Sequence, residues 1–202
     1  RHGCLLAGQS KFFFFSLPLS LCVCPQLAIT TVPNWQVRNV GSIAGNIMMA
    51  RSRNFSSDIA TLMMGAGAKV TLVGSEETAL DMADFLWPAK GTAPIIVKSI
   101  FVPALAAGEH FASYRVAARK NNAHAFLNAA LRCTVVEGAI TSANFIYGVA
   151  DIKAIHAKDA EEAVVGKALG ADALAAALPA LEGINVLAET QYHTAYQPEG
   201  KD

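Results

Sequence analysis

The 202-residue chain is 53% hydrophobic and only 16% charged, and its sixteen basic residues balance sixteen acidic ones. Such a composition supplies a packed core, as one medium domain or two small ones, and excludes an intrinsically disordered chain. Neutrality without a Lys/Arg cluster also argues against a nucleic-acid partner, which needs a localised positive field to meet phosphates.

In chain order, the first feature is an apolar run from Lys11 to Cys24, interrupted by Pro18 and bounded by Pro25, behind a start at Arg1. A basic start and an apolar stretch of this length resemble a secretory signal, and the run is short for a membrane span. The alternative is a segment foreign to the domain, such as a mis-joined coding edge. It is preferred because a signal starts near its own methionine. Residues 1–26 are set apart on this reading, a cytoplasmic location with no membrane partner is expected, and fold reasoning begins near Leu27. Cys4, Cys22, Cys24 and Cys133 show no C-x-x-C spacing and no neighbouring His pair, so no metal site is expected. Cys133 reads as a small buried hydrophobe.

The stretch Gln36 to Ala50, QVRNVGSIAGNIMMA, concentrates small residues between apolar ones. A glycine-containing loop over Gly41 to Asn46 lets the backbone approach a ligand, and successive N–H groups make a concave donor cluster suited to phosphate. Ser42 and Asn46 add directed hydrogen bonds. The pattern lacks the G-x-G-x-x-G spacing and the βαβ setting of a dinucleotide fingerprint, and alone such a pattern is more often just a turn. Behind it, Ile59, Leu62, Met63 and Ala66 have helical spacing after a Ser/Asp start, with Gly65 and Gly67 as the stop. Lys69 to Val73 reads as a strand, and Ala79 to Pro88 as a short helix ended by Pro88.

A second region, 93–190, opens with four strand-like runs, from Pro94, His110, Ala125 and Ala139, with Glu137-Gly138 as a hairpin turn between the last two. They suggest an antiparallel meander. Asp159 three residues before Glu162 suggests a capping box for the next helix, with Gly170 as its stop. Asp172 begins another helix reaching about Leu181, disturbed near Pro179. Strands followed by helices on one face make an α+β unit, with 191–202 a tail.

QVRNVGSIAGNIMMA, followed by Asp58 in SSDIATLMMGAGAKVTLV, resembles the FAD-binding domain of the molybdenum hydroxylases, the xanthine dehydrogenase and aldehyde oxidase family. SIFVP (Ser99 to Pro103), FASYRVAARKNNAHAFLNAALRC (Phe111 to Cys133) and FIYGVAD (Phe145 to Asp151) are similar to the C-terminal subdomain that follows it. The resemblance runs from about Leu27 to Leu187. It implies a partial FAD-binding subdomain of the vanillyl-alcohol-oxidase type over 27–92, then an α+β flavoprotein subdomain with an antiparallel sheet over 93–190. It further implies FAD as the cofactor and a flavin oxidoreductase that relays electrons from iron–sulfur clusters to NAD or dioxygen. Substrate oxidation then falls to a molybdenum-pterin centre elsewhere, in domains or partner subunits of an enzyme that is a homodimer in full-length form.

Carried onto this sequence, the cofactor contacts are Ser42, Ile43, Ala44, Gly45, Asn46, Asp58, Val97 and Arg115, with no catalytic and no metal-binding residue. Ala44 replaces a glycine of the family's pattern, and Val32 stands where animal members carry an aromatic residue. Asp58 equally suits a helix N-cap. Val97 takes the place of an apolar residue beside the flavin, and for a single valine core packing is the default. Arg115 falls where relatives often carry a lysine near the flavin, and it preserves that charge with a different geometry. His124 is expected at the surface. The family's first flavin subdomain, its iron–sulfur cysteines and its molybdenum domain have no counterpart here. The sequence is therefore expected to be a piece of a larger oxidoreductase that binds FAD weakly or not at all alone. A non-catalytic interaction module and a molybdenum-free flavin oxidase of the same fold remain the alternatives.

Overall fold

The computed structural model describes residues 3–7, 35–53, 56–74, 76–88, 95–119, 123–148 and 153–184, with the backbone alone for 3–7, Trp35 and Arg38. Its elements in chain order are β1 (Gly3–Ala7), α1 (Trp35–Val40), α2 (Ile43–Arg53), α3 (Asp58–Gly65), β2 (Lys69–Val73), β3 (Glu77–Asp81), α4 (Met82–Leu86) and β4 (Ile96–Pro103). There follow β5 (Glu109–Ala117), β6 (Ala125–Val136), β7 (Ala139–Gly148), β8 (Ile155–His156), α5 (Lys158–Val164) and α6 (Ala171–Glu182).

These strands form two sheets, ordered β1-β4-β2-β3 and β5-β6-β7-β8, antiparallel throughout. The first core gathers Ile47 of α2, Met63 of α3, Phe85 of α4, Val70 of β2 and Ile100 of β4. Arg51 ties α2 to α4 by lying 5.0 Å over the Phe85 ring and donating to the Phe85 carbonyl. A cation at a helix C-terminus suits both the ring face and the dipole. The second core places Ala157, Ala160 and Val164 around α5, with Ala173 and Ala177 of α6, against Cys133, Phe145 and Tyr147 of the sheet. Burial there raises the Cys133 thiol above its ordinary range, in keeping with a hydrophobe rather than a nucleophile.

The helices α5 and α6 cover one face of the second sheet, as expected of an α+β unit. The opposite face receives α3, and the close approach depends on two missing side chains. A Cβ at Gly65 would come within 2.4 Å of the Ala130 Cβ, and one at Gly148 within 2.1 Å of Thr61 Oγ1. The end of α3 is a Schellman motif: Ala68 donates to the Met63 carbonyl, and Gly67, at φ 72°, to that of Met64.

Several expectations change. Ile96–Pro103, grouped with the second region, pairs with β2 in the first sheet, so the meander holds β5 to β8 and not β4. Residues 1–26 were set apart, yet Gly3–Ala7 pairs with β4. The expected helix from Ala79 begins as strand, because Glu77–Asp81 pairs with β2 and the helix starts only at Met82. The capping box at Asp159 is absent: α5 starts at Lys158 and Ala157 occupies its N-cap without a side-chain bond. Gly166, at φ 80°, follows its end, while Gly170 sits at the N-cap of α6, which continues through Pro179.

Candidate functional site

Gly41 and Ser42 are exposed and non-helical, and α2 begins at Ile43. The expected free loop over Gly41 to Asn46 is therefore a helix N-terminus. Ser42 caps it: its hydroxyl accepts the Gly45 N–H at 3.0 Å, and its carbonyl accepts that of Asn46 at 3.0 Å. The Ile43 and Ala44 amides lie in the first turn, where a helix offers them no acceptor of its own. No acidic residue occupies that turn, so the positive end of the dipole stays uncompensated. Gly45 is helical, and its value lies in lack of bulk rather than in an unusual backbone angle. A Cβ there would meet the Ser42 hydroxyl at 3.0 Å.

Next to it, α3 begins differently. Ser57, 4% exposed, is its N-cap and accepts the Ala60 N–H at 3.1 Å, while donating its own proton to the Asn46 side-chain oxygen. The N-cap role considered for Asp58 thus falls to Ser57, and Asp58 is the first helical residue. Its carboxylate accepts from Arg115 Nε at 2.9 Å and from Asn128 Nδ2. The side chains of this ion pair are only 9% (Arg115) and 13% (Asp58) exposed. Arg115 also donates to the Ala123 carbonyl, tying β5 to the turn before β6. Asn128, 3% exposed, leaves its Oδ1 buried without a partner. The pair sits where α3 meets the second sheet, a register that no local sequence pattern reports.

The far end of α3 is gripped as well. Asn144 Nδ2 donates to the Gly65 carbonyl at 3.0 Å, and Arg132 to that of Ala66 at 2.7 Å while also pairing with Glu109 at 2.7 Å. The Ala106 N–H holds the Glu109 carboxyl below its ordinary range; burial opposes this and Arg132 assists. Ser42, Ile43, Ala44, Gly45 and Asn46 are thus brought together on one turn, linked through Ser57 to Asp58 and Arg115. Val97 stands apart, half-buried on β4 against the first core. His124 is exposed, and Val32 lies outside the described residues. Ser57 and Asn128 were missed. The adjacent Ser-Ser-Asp triplet was the signal for Ser57, obscured by the equal claim of Asp58.

Comparison with known proteins gives these features a family. Residues 16–105 match the FAD binding domain in molybdopterin dehydrogenase, and residues 112–197 the CO dehydrogenase flavoprotein C-terminal domain. An indole-3-acetaldehyde oxidase of Arabidopsis thaliana is 32% identical over 169 residues, covering 80% of this chain and 13% of that protein. A probable aldehyde oxidase 4 of Oryza sativa subsp. japonica is 34% identical over 169 residues, covering 76% and 20%. The chain therefore spans a small part of the curated relatives it matches. Among solved structures, a reconstituted CO dehydrogenase from Oligotropha carboxidovorans superposes with a TM-score of 0.68 at 24% identity, over 85% of this chain and 62% of that one. Quinoline 2-oxidoreductase from Pseudomonas putida 86 gives 0.64 at 21%, with the same coverage. With both parts of the flavin region matched in order and the fold shared, the chain belongs to the FAD-binding part of the molybdenum hydroxylase family.

Proposed function

We propose that this chain is the flavin-holding segment of a molybdenum hydroxylase of the aldehyde oxidase or xanthine dehydrogenase kind, relaying electrons from iron–sulfur clusters to NAD or dioxygen. The observation that carries this reading is the open N-terminus of α2, with two first-turn amides, a serine cap and no acid, in a chain matching the family's flavin region. Those residues fit a diphosphate: the donors converge on one helix end, and Gly41 and Gly45 put no side chain over it. Ile43 and Ala44 would donate through their amides, Ser42 and Asn46 through their side chains. Asp58 has lone pairs beyond those used by Arg115 and Asn128, suited to a cofactor hydroxyl. Val97 would supply apolar wall, and Arg115 a fixed positive charge. When bound, FAD supplies the redox chemistry, and the chain binds and orients it without a catalytic side chain.

The partners on this reading are iron–sulfur and molybdenum domains or subunits, in a homodimeric, cytoplasmic enzyme. Among the described residues no helix is long and apolar enough to cross a membrane. The test is a titration of the full chain with FAD, followed by flavin fluorescence into the millimolar range, with Gly45→Val beside it. Valine crowds the Ser42 cap and covers the helix end, so affinity should fall tenfold or more, about 1.4 kcal/mol per decade, while circular dichroism shows the fold intact. Equal affinity in the two proteins would remove the diphosphate from α2.

A further inference from the structure

We propose that Ser57 is a positioning residue for the cofactor's diphosphate, acting through the side-chain amide of Asn46. The inference deepens the reading of the α2 N-terminus given above and rests on it.

The argument is one of hydrogen-bond polarity. A serine hydroxyl has one proton to give and two lone pairs to accept with. Ser57 Oγ accepts the Ala60 N–H at 3.1 Å as the cap of α3, and its proton goes to Asn46 Oδ1. At 4% exposure that proton has no recourse to solvent. Reversing the Asn46 amide would set two donors against the hydroxyl and strand its proton, a loss that biases the orientation roughly tenfold or more. The amide is therefore held with Oδ1 toward Ser57, leaving Nδ2 as the end turned away from it. Nδ2 is a donor, the polarity an anion requires, on the first turn of a helix that carries no acid there. The Asn46 backbone N–H is already committed to the Ser42 carbonyl at 3.0 Å, so the side chain is the only donor this residue can offer. Ser57 never touches the ligand. It sets which end of Asn46 does.

The experiment is a double-mutant cycle on the full chain, reading the Kd for FAD beside the melting temperature. Asn46→Ala and Ser57→Ala should each weaken binding roughly tenfold, and the double variant should bind no worse than Asn46→Ala alone. Ser57→Thr keeps both the lone pair and the proton, and its extra methyl can enter the small cleft that Ser57 lines with Ala50, Ala60 and Trp87. It should bind as the parent does. Ser57→Ala also loses a helix cap, but lost stability alone leaves the affinity of folded molecules unchanged. Additive losses in the double variant, or a Ser57→Ala protein with parental affinity, would overturn the proposal. Should Asn46→Ala itself bind as the parent does, the diphosphate assignment fails instead. Nitrogen relaxation of the Asn46 side-chain amide in the FAD-free chain separates the two failures. It should be ordered in the parent and in Ser57→Thr and mobile in Ser57→Ala, and equal order in Ser57→Ala would refute the orienting role outright.

Discussion

Two helices of the same lobe begin with the same device and end up with opposite characters. In α2, Ser42 accepts the amide three residues on; in α3, Ser57 does the same. After the cap, α2 continues with Ile43, Ala44 and Gly45, without an acid and half open to solvent. The first residue of α3 is Asp58, which neutralises the helix end and is itself held by Arg115 and Asn128. A capping serine therefore does not make an anion site. What decides is the charge of the first turn and whether another element packs on it. One end is kept available, and the other serves as a joint between the lobes.

The sharpest way to break this comparison is to unpair the joint. Arg115→Met leaves the Asp58 carboxylate largely buried with only Asn128 beside it, and removing one member of such a pair costs about 3 kcal/mol or more. Urea unfolding should show that loss, and a change under about 1 kcal/mol would mean α3 is not closed by charge. A smaller effect is expected from Gly65→Ala, where the new methyl meets Ala130 Cβ and carbonyl, backbone that has no easy retreat. Overpacking of this kind costs about 1–3 kcal/mol. It should appear as a lower melting temperature, whereas alanine at an ordinary helix position would raise it.

The smallest effect concerns the distant end of α3, where Glu109 steadies Arg132. The folded-state carboxyl of Glu109 is depressed, so its contribution is present above the ordinary carboxylate range and is lost as pH falls through the lower folded value. Glu109→Gln should cost about 1 kcal/mol at neutral pH and flatten the acid side of the stability profile. An unchanged profile would show that the grip on α3 ends before Ala66.

Much of this could be read from residue order alone, and the failures have a common cause. Lys69–Val73 and the hairpin around Glu137 and Gly138 were legible because β-branched runs and a two-residue turn are local signals. Glu77–Asp81 was not, since an exposed edge strand shows no buried alternation and its Ala-Leu-Asp composition suits a helix. The glycines of Gln36 to Ala50 are legible as significant but read as loop, because small residues hide a helix start that only the cap reveals. For Asp58 the residue was found and its company was not. Arg115 and Asn128 reach it through the docking of α3 on a sheet far along the chain, and that depends on tertiary register. Asp159 shows the reverse error. It lies one residue inside the helix, and the carboxylate used structurally is Glu161, which accepts the Phe145 N–H at 2.6 Å.

The pairing of Gly3–Ala7 with β4 joins Ala7 to Ser99, whereas β6 and β7 are joined through the two residues Glu137 and Gly138. Loop closure makes these contacts unequal in time as well as in space. The hairpin closes a minimal loop on the microsecond scale, but the edge strand must bring together ends separated by nearly half the chain. During synthesis the first strand emerges long before its partner exists, so its backbone stays paired with water until β4 has been made. The second sheet, whose neighbours follow one another directly, completes itself almost as fast as it is translated.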